Sequence, residues 1–193
     1  GREGFTRHIH DISNAQFRSK FSTDVSAMNG RRGIGVISDF EPQPLLQQTR
    51  LGRYGIVTVA RINNIEELVA DAFDHRAHFS SMSHGGVNPT DVVSYLINQG
   101  NTIEEGLLNA VESIRGSCSI LLLSENAVYA ARDRLGRTAL VIGQKEGSLA
   151  VASETTAFPN TDFETVRYLG PGEIVRITAD GVEQVAPPRE ELQ

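Results

Sequence analysis

One thiol, Cys118, occurs in the 193 residues. A thiol reacts as a thiolate, in an accessible and electropositive setting. Cys118 stands instead between Ser117 and Ser119, in a run that continues into Ile120-Leu-Leu-Leu123. That context makes it a small core residue. His8-x-His10 would set two rings on one face of a strand, and His75-x-x-His78 on one face of a helix, with His84 nearby. Both spacings suit zinc or nickel. No second carboxylate or cysteine cluster accompanies them, so solvated surface histidines are the plainer reading and no metal is expected. Gly85-Gly86 before a helix has the composition of a phosphate cradle, but without the rest of a P-loop it reads as a turn. In Arg132-Asp-Arg-Leu-Gly136, Arg132 and Asp133 either line a pocket or end a strand in a turn where the Asp bonds the backbone. The Leu-Gly that follows favours the turn.

The elements that must hold these residues follow from apolar spacing. Gly33 to Ile37 and Tyr54 to Ile62 are rich in β-branched residues and predict strands. Between them Glu41-Pro-Gln-Pro44 cannot join a central ladder and predicts a loop. Three helices follow. Asn64 with Glu67 predicts a capping box, and Ile65, Leu68, Val69, Ala72 and Phe73 share one face. Asn88 caps the second helix, with Pro89 at its first position, where the missing N–H costs nothing. Thr102 with Glu105 opens the third, whose Ile103, Leu107, Val111 and Ile114 face inward until Gly116 stops it.

After Gly116 the period changes to that of strands. Ser117–Leu123 with Ala127–Arg132, Ala139–Gly143 with Leu149–Ser153, and Glu173–Thr178 with Val182–Val185 are each joined by a short loop bearing Asn or Gly. These are hairpins of antiparallel strands. The continuous run Ile120 to Leu123 suits a strand buried on both faces. Strands, then helices, then strands give an α+β class in a layered sandwich. The chain reads as one domain over 1–186, with Pro187-Pro188 opening a linker over 187–193.

Hydrophobic residues at 39% and charged residues at 22% are ordinary for a globular domain. The net charge of −6 argues against a nucleic-acid partner. No apolar run is long enough to span a bilayer, so no membrane is expected. A single cysteine suits a reducing cytoplasm.

Five segments carry more than a class. Gly116-Ser-Cys-Ser-Ile-Leu-Leu-Leu, Ala131-Arg-Asp-Arg-Leu-Gly136, Val141-Ile-Gly143, Val151-Ala-Ser-Glu-Thr155 and Pro171-Gly-Glu-Ile-Val175 follow in order. The series resembles the class II glutamine amidotransferase domain, and its amidophosphoribosyltransferase branch most closely. That branch reads G-[AS]-x-S-x-x-L-L, R-D-P-x-G-x-R-P-L, A-S-E-[TS]-x-A and P-G-E-[IL]. The match runs weakly from about Gly4 and strongly from Arg32 to Gln184. The resemblance implies an N-terminal-nucleophile hydrolase fold: a four-layer αββα sandwich of two antiparallel sheets, here with its N-terminal part missing. It implies a cysteine as first residue that attacks the glutamine side-chain amide, with its own amino group as base. It also implies a phosphoribosyltransferase-like domain after this one, which uses the ammonia, and assembly into a homo-oligomer. No cofactor is implied in this domain.

Residue by residue, the chemistry departs from that pattern. Gly1 has no side chain, and the family's first strand would lie upstream. The family's oxyanion motif H-N-G-N falls on Thr58-Val-Ala-Arg61, so Val59 and Ala60 replace Asn and Gly, with Arg61 at the end. The carboxylate-binding G-H-x-R-Y-S-T falls on Gly35-Val-Ile-Ser-Asp-Phe40, with Ser38 at the Arg and Asp39 after it. The amine-binding acid falls on Pro89, and Asp91, two residues on, is a first-turn acid favoured by the helix dipole. These diverged positions are the candidate pocket, with room for a different small-molecule ligand.

Three readings result. One is the front domain of a protein that moves glutamine amide nitrogen to phosphoribosyl pyrophosphate in purine biosynthesis. Another is a pseudo-glutaminase with a regulatory or assembly role, which the departures at Ser38, Val59, Ala60 and Pro89 favour. A third is an unrelated binding module, which the ordered motif series disfavours.

Overall fold

The computed structural model describes residues 4–12, 17–39, 41–79, 82–83 and 85–189. In chain order they form helix α1 (Phe17–Ala27), strands β1 (Leu45–Thr49) and β2 (Gly52–Ile62), helix α2 (Ile65–Asp74), a short β3 (Met82–Ser83) and β4 (Gly86–Val87), and helices α3 (Pro89–Asn98) and α4 (Ile103–Ser113). Then come β5 (Gly116–Ser124), β6 (Val128–Ala131), β7 (Val141–Lys145), β8 (Ser148–Ala152), two 3-10 turns (Thr155–Ala157 and Pro159–Thr161), β9 (Glu164–Tyr168), β10 (Ile174–Thr178) and β11 (Gly181–Ala186).

Six strands make one sheet in the order β1-β2-β5-β6-β10-β11, and three make another in the order β8-β7-β9. Their neighbouring pairs are all antiparallel. The period of two sorts side chains between two cores. Tyr54 and Ile56 of β2, with Cys118, Ile120 and Leu122 of β5, turn to one face. There they pack with Leu68, Val92, Val93, Ile97, Leu107 and Val111 of α2, α3 and α4. Ala130, Val175 and Ile177 turn the other way and meet Leu140, Ile142 and Leu169 beside the three-stranded sheet. Ile120 and Leu122 serve the first core while Leu121 borders the second, which is why the run at 120–123 lacks alternation. The result is an α+β sandwich: helices, sheet, sheet. The outer face of the second sheet is covered by the 3-10 turns, whose Phe158 ring lies 2.8 Å from where a Cβ on Gly143 would stand.

The caps show where tertiary partners override local signals. Asn88 caps α3 as its type suggests, accepting from Thr90 N–H at 2.8 Å. Thr102 caps α4, accepting from Glu105 N–H at 3.1 Å, while the Glu105 carboxylate takes the N–H of Asn101. The box expected at Asn64 does not form. Its amide instead donates to Ser113 O and accepts from Arg115 N–H, tying the start of α2 to the end of α4. Glu67 pairs with the Arg115 side chain at 3.2 Å. Gly116 is not a helix stop but the first residue of β5, at φ +129, with Arg61 O 2.1 Å from its would-be Cβ.

Two further expectations change. Gly33 to Ile37 is irregular, and β1 takes the place beside β2 instead. Helix α2 ends at Asp74, so His75 and His78 do not share a helical face. His84, Gly1 and residues 190–193 lie outside the described residues. Residues 187–189, read as the opening of a linker, are docked: Arg189 N–H donates to Pro171 O at 2.8 Å, its side chain pairs with Glu112, and Pro188 packs on Gly170.

Candidate functional site

A cleft of about 1050 Å³ opens between the two sheets. Val57, Val59, Ser119 and Leu121 line it from β2 and β5. Leu140, Val151 and Glu154 face them from the other sheet and its flanks. Residues 6–12, the apolar stripe of α1, residues 34–39 and residues 41–44 complete the walls.

The loop at 41–44 is shaped by its two prolines, which cannot donate to a ladder. Continuing the register Leu45↔Ile56 by two residues sets Gln43 opposite Thr58. The backbone has left the sheet there, and the Gln43 carboxamide replaces it. Its Oε1 accepts from Thr58 N–H at 2.7 Å and its Nε2 donates to Thr58 O at 3.0 Å. Gln43 Nε2 also donates to Glu41 Oε1 at 3.0 Å. Glu41 sits at the N-terminus of α3, accepting from Thr90 Oγ1 at 2.9 Å. Thr90 Oγ1 in turn accepts from Thr58 Oγ1 at 2.6 Å. Burial pushes the Glu41 carboxyl above its usual value, against the hydrogen bonds of Thr90 and Gln43 that favour the charged form.

Thr58 directs its N–H and C=O away from β5, and an antiparallel strand alternates these directions residue by residue. The N–H of Ala60 therefore turns to the same edge, toward the loop bearing Glu41. Val59 projects an apolar side chain that is 48% exposed into the cleft.

Of the positions singled out by sequence, Ser38, Asp39 and Val59 meet in the cleft wall. Ala60 and Arg61 continue β2 past it. Pro89 opens α3, and Asp91 in its first turn accepts from Gln47 Nε2 at 3.1 Å, so neither lines the cleft. Arg132 and Asp133 also lie off the lining. Arg132 donates to the carbonyls of Thr138, Leu169 and Gly136. The buried Asp133 carboxylate accepts from the N–H groups of Leu135, Arg137 and Thr138. The pair is fully engaged in holding its turn. Cys118 is buried on the helix-facing side of β5, and burial pushes its thiol far up.

His8 and His10, paired by their spacing, face the cleft from an irregular segment and not from a strand, and their partner Asp24 was hidden from any spacing rule. His8 Nδ1 lies 3.2 Å from Asp24 Oδ1, and His10 Nε2 lies 2.5 Å from Asp24 Oδ2. Glu41, Gln43 and Thr90 were equally hidden, since their convergence depends on a loop breaking away from an edge strand. Among the described residues no group of three ligand-type side chains could hold a metal ion.

A profile of the family described as the glutamine amidotransferase domain matches residues 31–160. The chain belongs to the glutamine amidotransferase domain family. It is 30% identical over 145 residues to amidophosphoribosyltransferase of Mycobacterium tuberculosis, covering 72% of this chain and 27% of that protein. It is 28% identical over 144 residues to amidophosphoribosyltransferase 2, chloroplastic, of Arabidopsis thaliana, covering 73% and 25%. The fold is similar to glutamine phosphoribosylpyrophosphate amidotransferase from B. subtilis, solved with ADP and GMP, with a TM-score of 0.67 and 25% identity over 74% of this chain and 31% of that one. The chain thus spans about a quarter of the length of the curated relatives it matches.

Within this glutamine amidotransferase domain, acidic side chains along the cleft outnumber arginine and lysine. Asp11, Asp39, Glu41 and Glu154 line it, against Arg7 and the two histidines. Ser38 accepts from Glu41 N–H at 3.2 Å.

Proposed function

We propose that this glutaminase-type domain has kept the fold and the cleft but not glutamine hydrolysis. It stands as the front part of an amidophosphoribosyltransferase-related protein, followed by a phosphoribosyltransferase-type domain that draws on free ammonia or another nitrogen source. Its own role is then regulatory or in assembly, with a different small molecule in the cleft.

The observation that carries this reading is the pairing of Val59 with Ser38 in one wall. Val59 removes a side-chain donor from the oxyanion position, and loss of one such donor costs about 3 kcal/mol of transition-state stabilisation, or roughly a hundredfold in rate. Ser38 removes the cation that would hold the substrate carboxylate, and four acidic side chains line the same space. The Ala60 N–H, turned to the open edge of β2, is the one piece of the oxyanion arrangement that the backbone retains.

Recording the intact mass of the full-length protein before and after an electrophilic glutamine analogue, together with ammonia release from glutamine, tests this. Neither an adduct nor ammonia is expected, while transfer supported by ammonium salts proceeds. A single adduct with ammonia release would overturn the reading and assign the cleft to glutamine after all.

A further inference from the structure

The described residues before Leu45 contribute nothing to either buried core. Helix α1 is nevertheless placed with care. Phe17, Phe21, Val25 and Met28 form one stripe at helical spacing, and all four line the cleft. The stripe is not sealed: Phe17, Val25 and Met28 are each about half exposed. A helix laid on a core buries its stripe, whereas this one faces an open space. Ring and carboxylate contacts join it to the cleft-lining segment before it. Phe21 stacks on Phe17 and meets the edge of His10, each at 4.6 Å between ring centres. Asp24, one turn beyond Phe21, receives both His8 and His10. The hydrogen bond from His10, reinforced by the charges of both rings, holds the Asp24 carboxyl below its usual value, despite some burial. The family profile begins at Arg31, so α1 lies outside the matched residues.

We propose that α1 is a strap across the cleft, fastened by Asp24 to His8 and His10, which must unfasten before a ligand reaches the cleft floor. Small apolar contacts over open space and surface ion pairs are weak, so the fastened and unfastened forms lie close in free energy and exchange readily. The two sheets keep their cores in both forms, because no core residue lies on the strap. The strap works in the same way whether or not the cleft hydrolyses glutamine.

Val57 reads this directly. It lines the cleft floor at 3% exposure, and Cys118 is buried on the opposite face of the sheet. In the full-length protein carrying Val57→Cys, a water-soluble thiol reagent is followed peptide by peptide under native conditions. Adding Asp24→Ala, or His8→Gln with His10→Gln, should raise labelling at position 57 about two- to fivefold, the range an exposed ion pair gives. Labelling at Cys118 and the urea midpoint should stay unchanged. Equal rates at position 57 with and without Asp24 would overturn the strap. So would a rise at Cys118 in step with position 57, since that reports opening of the whole domain. Should Val57→Cys fail to fold, hydrogen exchange of the otherwise native Asp24→Ala protein decides. Faster exchange confined to α1 supports the strap; no change, or change spread through β2 and β5, removes it.

Discussion

Glu173 shows what a single buried carboxylate does in this domain. Its side chain is 1% exposed and accepts two hydrogen bonds from Arg167, at 2.8 and 3.0 Å, with one each from Gly170 N–H and Gln184 Nε2. Burial alone would raise its pKa, but these partners outweigh burial and hold it low. A lowered carboxyl pKa contributes stability that is complete above the ordinary value of about 4.3 and is lost as pH falls through the folded-state value. Glu173→Gln should therefore cost about 2–3 kcal/mol at pH 7, at or below the low end for a broken buried pair because Arg167 is partly exposed. Its acid limb should be shallower than that of the parent; urea unfolding from pH 7 down to pH 3 measures both. The Pro171-Gly-Glu173 segment stood out in the sequence as a motif without a role, since the partners at 167 and 184 are set by the fold. Arg132 and Asp133 were more legible, because an Asp before Leu-Gly announces backbone bonding locally. His8 and His10 stood out as a pair by their spacing, but Asp24 did not: nothing in spacing links a carboxylate at 24 to two rings so far upstream.

Elements with local signals were the ones the sequence could place. Asn126, Gly147 and Gly181 lie in or at the ends of the loops of the three hairpins, and Asn88-Pro89 marks the start of α3. Strand β9 left no trace because all five of its residues are exposed, so it has no alternation to read. Helix α1 hid for a related reason, its stripe facing a cleft and not a core. Close helix packing was likewise silent. A Cβ on Gly106 of α4 would stand 2.1 Å from Ile97 O of α3. Gly106→Ala gains about 1 kcal/mol of helix propensity but forces two backbones apart, an overpacking cost near 3 kcal/mol. A net loss of about 2 kcal/mol in urea unfolding is expected. After α2 the chain turns through Arg76 at φ 59, a left-handed conformation that a Cβ disfavours. Arg76→Gly should stabilise by about 1 kcal/mol, read as a higher thermal midpoint. An unchanged or lower midpoint would show that the Arg76 side chain compensates for its backbone.

On the scale of the whole molecule, the second core and the cleft share a boundary: Leu121, Leu140 and Val151 belong to both. The five motif segments that identify the family lie on β5 to β10 and their turns, where they serve packing: Glu173 clamps, Asp133 holds a turn, and Ile120 and Leu122 fill the helix-facing core. On the proposed reading, the departures from a glutaminase are Ser38 and Val59, in the same cleft that Ser119 and Glu154 of two motif segments line. Under that proposal the domain keeps its fold-specifying motifs while its cleft changes chemistry. Restoring one group should not restore activity: Val59→Asn alone is expected to leave glutamine-dependent ammonia release at background, because Ser38 still supplies no cation for the carboxylate. Release above background in that variant would show that the carboxylate is held by another group.

The substitution of Gln43 for a length of backbone has a consequence outside catalysis. β1 is five residues long against eleven in β2, so the rim of β2 beyond Ile56 would present unpaired amides to any passing extended chain. The carboxamide occupies the pairing groups of Thr58, and the adjoining prolines give an incoming strand nothing to zip onto. A glutamine side chain thereby acts as a stopper against self-aggregation, and Gln43→Ala should raise light scattering on mild heating before the midpoint of unfolding moves.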